Sequence, residues 1–494
     1  MSNTHLPITI TLLTLVVGLV VPLLGGRRLR LIHIVVFITG CAATLLALIS
    51  LTEVLHHGAF VYRFGGWAQS VGVEFTVTPL SAGMALLVML LSTVTLVYAF
   101  TDIPTVVERR VIPGYYALVM LMVCGMLGMV YTNDLFNLYV FMEILSISSC
   151  AIVTITRKPE NLYAGLKYLI IGTIGSITIF LGMALLYMAS GTLNITANGE
   201  LFARVWHLYP VNARMAVGLM LTGFAIKAAV FPMHTWLPDA HSVAPAPSSA
   251  LLSGLVVKVY IVGAIKVLFN IVGVEVLELT NIPTVISYVA MAGMLMGSAF
   301  AIGQRKVKRI LAYSTVAHIG YIVLGISLLN ETGVSAAMFH IVSHSLMKTA
   351  LFLSVGVIIH RTGRQYVHEF AGVGYRMPLT MTVFSIAALG MIGIPGINGF
   401  MSKWYLIIAA VEAGKPIVVP VILVSSFLNA VYYLPIVIAA FMQRSRQTDH
   451  IMQGDHLPPT ITAPLAITGG LCILFGLFPQ LVIEIMQTAM PALL

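Results

Sequence analysis

The chain has 494 residues, 59% of them hydrophobic and only 9% charged, with a formal net charge of +9. A soluble protein of this size would carry about a quarter charged residues, so hydrocarbon is its main solvent and the chain reads as an all-α polytopic membrane protein. Its surplus cations are scattered through short loops, the pattern of topology signals rather than of nucleic-acid binding.

Taken in order, the first apolar run, Leu6 to Leu24, has no basic leader and no small-residue cleavage site, and is read as the first span rather than a removed signal. At about 20 apolar residues per crossing, fourteen spans are predicted: 6–25, 31–52, 76–100, 112–131, 134–156, 162–189, 212–236, 248–270, 282–302, 307–329, 333–359, 379–413, 418–442 and 460–488. Two of them read as broken helices, at about 212–240 and 379–413. Pro232 and Pro238 break the first just after Lys227, which frees carbonyls that can hold water. Gly393, Pro395, Gly396 and Gly399 break the second just before Lys403. The stretch 53–75 is polar and aromatic, and the alternation from Val71 to Val77 suggests a surface hairpin. No soluble domain fits anywhere, so 1–494 is a single transmembrane domain.

Loop charge orients the spans. Loops after odd-numbered spans hold Arg27, Arg28, Arg30, Arg109, Arg110, Arg157, Lys158, Arg305, Lys306, Lys308, Arg309, Arg361, Arg364, Arg376, Arg444 and Arg446. The other loops hold only Arg63, Arg204, Arg214 and Lys415. The positive-inside rule therefore predicts both termini outside. The cations left inside spans are Lys167, Lys227, Lys258, Lys266, Lys348 and Lys403, and the only mid-span acid is Glu143.

Charges in hydrocarbon are costly and usually mark an ion path. Glu143 and Lys227 form a candidate switch: desolvation disfavours a lone charge and an opposite charge restores it. With Glu143 close, Lys227 holds its proton; with Glu143 drawn away, it releases it. A structural ion pair or a snorkelling lysine is the plainer alternative. Lys258 reads as a relay, Lys266 as a snorkelling end residue, and Lys167 as either. His340, His344 and Lys348 follow an i, i+4, i+8 stripe, and His318 lies in the preceding span. Histidine suits proton relay, although a satisfied core histidine is the plainer reading for His318 alone. A zinc site needs a third ligand that the stripe does not supply. The four cysteines stand singly without a CxxC spacing, so no iron–sulfur or zinc site is expected. Lys403 mirrors Lys227, each beside a broken helix, which points to an inverted repeat with ion sites at its interfaces.

The run FPMHTWLPDAHSVAPAPSSALLSGLVVK resembles the antiporter-like membrane subunits of respiratory complex I, membrane-bound hydrogenases and Mrp-type cation/proton antiporters. The likeness extends through YRFGGW, GVEFTVTPLSAGM, NDLFNLYVFMEILSISS, KRILAYSTVAHIGYIVLG, HSLMKTALFL and IGIPGINGFMSKW, nearly the whole chain. It implies a fourteen-helix bundle: N-terminal helices (1–110), two inverted five-helix repeats (111–270 and 282–442) and a last helix (460–488). It also implies that Glu143 and Lys227 are the coupling pair, Lys258 the central relay, His318, His344 and Lys348 connecting relays, and Lys403 the exit group. Some complex I paralogues carry a glutamate in place of Lys403 and fit less well. The largest paralogues continue into a long lateral helix, whereas this chain ends at Leu494. Size and motifs best resemble the D-type subunit of Mrp-like antiporters or the similar hydrogenase subunit.

The expected function is proton translocation within a multisubunit Na+ or K+/proton antiporter of a prokaryotic cell membrane. Other membrane subunits are the expected partners, with no cofactor, no metal and no covalent chemistry in this chain. The rivals are a redox-driven pump and a stand-alone transporter. No carboxylate and carbonyl cluster at cation-ligating spacing appears within the spans, so the exchanged cation is not assigned.

Overall fold

Hydrocarbon offers no hydrogen-bond partner, so a chain this apolar must satisfy its backbone within helices. The computed structural model describes residues 5–67, 72–443 and 457–490. It opens with α1 (Leu6–Val20) and α2 (Leu29–His57), then a hairpin of β1 (Phe60–Arg63) and β2 (Glu74–Val77). Next come α3 (Pro79–Val106), α4 (Ile112–Tyr131), α5 (Leu135–Val153), α6 (Pro159–Ser190), α7 (Ile195–Leu208), α8 (Pro210–Lys227) and α9 (Leu237–Val243). Then follow α10 (Ala246–Leu251), α11 (Val257–Ile265), α12 (Val274–Glu278), α13 (Ile282–Ile302), α14 (Val307–Ser327) and α15 (Glu331–Thr362). The chain closes with α16 (Val373–Arg376), α17 (Pro378–Ile392), α18 (Asn398–Glu412), α19 (Val418–Met442), α20 (Pro459–Leu477) and α21 (Gln480–Ala489).

Among the described residues, twelve helices are long and apolar enough to cross a membrane. The remaining two of the fourteen predicted spans are the broken ones, α8/α9 and α17/α18. From α4 onward the crossings fall into two runs of five: α4, α5, α6, α8/α9, α10–α11, then α13, α14, α15, α17/α18, α19. The broken helix is fourth in each run. Five is an odd number, so the second run starts from the opposite side of the membrane and is inverted relative to the first. Helix α15 is buried along nearly its whole length against α14, α17, α18 and α20.

Local chemistry sets the ends. Thr78 and Ser81 cap α3 reciprocally, Thr78 Oγ1 accepting from Ser81 N at 3.2 Å and Ser81 Oγ from Thr78 N at 2.8 Å. Asp134 caps α5, its Oδ1 accepting from Asn137 N at 2.7 Å. At the second break Gly393 caps α17 with φ +96°, and a Cβ on Gly399 would lie 1.9 Å from the Gly390 carbonyl oxygen, so the crossing there needs glycine.

The structure differs from the sequence reading in four places. Helix α3 continues to Val106 rather than 100, which takes Asp102 into the bundle wall as a buried acid. Helix α7 (Ile195–Leu208) stands where the sequence predicts a loop; Asn194 caps it, its Oδ1 accepting from Ala197 N at 3.0 Å. Pro238 does not break a helix but occupies the first turn of α9, where proline is tolerated. The last span divides at Pro479 into α20 and α21, and α21 packs on α3 and α15. The predicted hairpin is present, although Val71 lies outside the described residues, as do Arg444 and Arg446. Buried Glu74 anchors the hairpin to the α4–α5 and α6–α7 turns, accepting from Asn133 Nδ2 at 2.8 Å and Asn194 Nδ2 at 2.9 Å.

Candidate functional site

The charged side chains named from the sequence sort into a buried row and a set of braces. In the first run Lys227 is the last residue of α8, with none of its side chain exposed, whereas the Glu143 side chain is 30% exposed. Lys227 Nζ donates to Ser146 Oγ at 2.8 Å and to Glu143 Oε1 at 3.4 Å. Ser176 Oγ donates to the same carboxylate oxygen. The pair expected from the sequence is therefore formed, and its acid is the accessible member. Two of the carbonyls at the break have protein partners: Val230 N–H bonds that of Ala225 at 2.9 Å and Trp236 Nε1 bonds that of Ile226 at 3.0 Å. Tyr168 stacks on Trp236 at 4.2 Å and holds the indole in place.

Lys258 is fully buried in α11, just after a π-helical turn at Leu252–Val256. A wide turn of this kind loosens the carbonyl ladder. Lys258 Nζ bonds the Ser253 carbonyl and Ser345 Oγ bonds that of Gly254 at 2.6 Å. Ser253 Oγ also meets Thr315 Oγ1 at 2.7 Å, which links the two runs. Beyond it, Lys348 Nζ donates to the Leu311 carbonyl at 2.6 Å and to Ser314 Oγ.

His318, His340 and His344 lie within 5.0–5.9 Å of one another, ring centre to ring centre, with nearly parallel planes. His318 Nδ1 and His340 Nε2 are 3.1 Å apart, so those nitrogens face each other and do not converge on a shared metal. His340 Nδ1 meets Ser402 Oγ at 2.8 Å. Neither ring nitrogen of His344 has a partner among the described residues. At the far end Lys403 Nζ donates to the carbonyls of Met391 and Ile392, each at 2.9 Å, and to Ser426 Oγ at 3.0 Å. It also sits 4.9 Å from the centre of the Tyr321 ring. Lys403 thus caps the C-terminal carbonyls of α17, where a helix end favours a cation. The mirror with Lys227 is inexact: Lys227 precedes its break and Trp236 does the capping, whereas Lys403 follows its break and caps directly.

Two lysines stand apart from this row. Lys167 pairs with Asp239 at 2.7 Å, and Arg309 joins the same carboxylate at 3.3 Å. Lys266 does not snorkel. Its Nζ donates to the carbonyls of Met129, Val130 and Thr132 at 2.9, 2.8 and 2.6 Å, closing the end of α4. Lys266→Ala is therefore expected to lower stability by about 2–4 kcal/mol, since it strips charge-assisted bonds from buried carbonyls. Transport per folded molecule should be unchanged, as a thermal melt read beside a transport assay will show.

Sequence reasoning missed a cavity of about 810 Å³ at the basic-loop end, lined by Asp102, His360, Asp239, Lys306 and Lys308 among others. Asp102 gives no signal in the sequence because it follows the apolar run, and Lys308 reads as a loop cation, yet its Nζ bonds the Ala244 carbonyl at 2.5 Å. Near this cavity His241 is buried with both ring nitrogens unpartnered among the described residues. The repeated histidine in HTWLPDAH was its only signal in the sequence.

The sequence pattern of the family described as NADH:quinone oxidoreductase/Mrp antiporter, TM, matches residues 132–429. The chain is 36% identical to NADH-quinone oxidoreductase subunit N of Desulforudis audaxviator, over 99% of both chains. It superposes on a chain of the Mrp complex from Dietzia with a TM-score of 0.88 and 27% identity, covering 100% of this chain and 98% of that one. A chain of an archaeal membrane-bound sulfane sulfur reductase gives a TM-score of 0.90 and 29% identity, covering 98% and 97%. The protein belongs to the NADH:quinone oxidoreductase/Mrp antiporter transmembrane family, as an antiporter-like, proton-translocating subunit of a multisubunit membrane complex.

Proposed function

We propose that this chain carries protons along the ladder Glu143, Lys227, Lys258, Lys348, His344, His318 and Lys403, within a multisubunit Na+ or K+/proton antiporter of a prokaryotic cell membrane. The observation that carries the reading is the ladder itself: one partly exposed acid beside a buried lysine, then buried lysines held by neutral oxygens and three stacked histidines. Such groups respond to one another's charge and titrate as a set. Glu143 is the movable member, and its withdrawal leaves Lys227 with Ser146 alone. The gaps from Lys227 to Lys258 and from Lys258 to His344 are crossed by water in the conducting state. The Asp102 cavity is the cytoplasmic mouth, and both termini lie on the opposite side. The superposition on an Mrp chain supports the ladder and the fold, which a chain of a respiratory reductase shares, and the choice of the antiporter rests on the size and motifs of the chain.

A second reading is favoured by the 36% identical quinone oxidoreductase subunit. In it the same ladder is driven by redox subunits. Everted vesicles holding the native complex, loaded with a pH-sensitive dye, separate the two. Proton release on adding NaCl or KCl, with no electron donor present and only small membrane subunits co-purifying, is the expected result. Acidification that requires an electron donor, with iron–sulfur subunits in the purified complex, would replace the antiporter reading by the redox-driven one.

A further inference from the structure

Asn429 on α19 is fully buried and touches the histidine pair from outside the titrating ladder. Its Nδ2 lies 3.2 Å from the Met391 carbonyl oxygen and 3.2 Å from His318 Nε2. Its Oδ1 accepts from Tyr432 Oη–H at 2.6 Å; Ser298 Oγ, whose one proton is donated to the Met294 carbonyl at 2.8 Å, lies 3.2 Å away. A carbonyl oxygen has lone pairs only, so the amide group must present its NH2 to Met391. Flipping the amide would set two acceptors against each other and leave the tyrosine donor unmatched. The orientation of Asn429 is therefore decided by groups that do not titrate along the ladder.

That orientation propagates. The second N–H of Nδ2 points at His318 Nε2, which must then be the unprotonated nitrogen of a neutral ring. The proton of His318 sits on Nδ1 and is donated to His340 Nε2, 3.1 Å away. His340 in turn carries its proton on Nδ1 and donates it to Ser402 Oγ at 2.8 Å, whose hydroxyl donates to the Gly399 carbonyl at 2.9 Å. One amide thus sets the tautomer of two histidines, and every bond in the row points the same way, ending on the Gly399 carbonyl.

We propose that Asn429 is a positioning residue of the proton path, which holds His318 and His340 as a one-way hydrogen-bonded wire directed toward Ser402. A proton arriving at His318 Nε2 forms an N–H bond there while the Nδ1–H bond breaks and its proton bonds to His340 Nε2; the charge then rests on His340 as an imidazolium, whose Nδ1–H is still donated to Ser402 Oγ. In the state seen here Asn429 occupies the Nε2 lone pair, so the wire is aligned but closed. Passage in the opposite direction requires both tautomers to invert first. The inference rests on the proton-ladder reading, but the tautomers can be read whether or not protons move.

The test is solid-state NMR of the intact complex in lipid with 15N-labelled histidine, the His318 signals being identified from their loss in His318→Gln. Asn429→Asp replaces the donor by an acceptor, and Asn429→Leu keeps the volume without either. In the unaltered protein His318 should be protonated on Nδ1. In Asn429→Asp the proton should move to Nε2, and in Asn429→Leu both tautomers should appear. Proton transport should fall about a hundredfold in each, the scale of a misplaced proton-transfer group, with the complex still assembled. An Nε2-protonated His318 in the unaltered protein would overturn the proposal. So would either variant keeping the Nδ1 tautomer, even if its transport is lost, because the defect would then be one of packing. Shifted tautomers in a complex that never moves protons would instead leave Asn429's hold on the rings intact and remove the ladder reading.

Discussion

Lys227→Ala and Glu143→Ala are each expected to abolish proton translocation while the complex still assembles. The two side chains are 3.4 Å apart, and they differ in what their loss leaves behind. Removing Lys227 leaves a carboxylate that is 30% exposed and still hydrogen-bonded by Ser176. Removing Glu143 leaves a lysine with no exposed side chain and one hydroxyl partner. Breaking a buried pair at one partner costs about 3–5 kcal/mol when the survivor stays charged, and Lys227 can avoid part of that by giving up its proton. Both variants should therefore lose transport by about a hundredfold or more, with Glu143→Ala the less stable of the two. Dye-monitored transport, beside size-exclusion chromatography of the purified complex, checks both halves of this. Unimpaired transport in either variant would sink the switch.

Lys403 allows a sharper separation of structural from chemical roles. Its ammonium caps the Met391 and Ile392 carbonyls, so Lys403→Ala should lose transport and some stability together. Lys403→Arg keeps a cation and donors for the same carbonyls but does not release a proton at any physiological pH. It should restore most of the thermal stability and leave transport down by about tenfold or more. A Lys403→Arg complex that transports normally would reduce Lys403 to a helix cap. Lys266 is the control, since it caps α4 in a similar way and is expected to matter for stability alone.

Much of this protein is legible along the chain. Long apolar runs had to become helices because hydrocarbon leaves backbone groups no other partner. Charges stranded within those runs stand out against so apolar a background, which makes Glu143, Lys227, Lys258, Lys348 and Lys403 candidates from the sequence alone. The i, i+4, i+8 stripe placed His340, His344 and Lys348 along one helix before any packing was known.

What a lone charge would meet was not legible. Lys167, Lys227 and Lys266 look alike in sequence, yet one pairs with Asp239 on a distant turn, one with Glu143, and one closes a helix more than a hundred residues away. Asp102 escaped because a helix can outlast its apolar stretch when its end lines a polar cavity. Asn429 carries no charge and no motif, and Ser402 sits in a run read for its lysine; only the approach of α14, α15, α17, α18 and α19 brings Asn429 to His318 and Met391 and Ser402 to His340. Solvent dictates where the chain crosses the membrane, and that is written residue by residue. Hydrogen bonds dictate which proton faces which lone pair, and their partners come from separate helices, so only the packed bundle decides them.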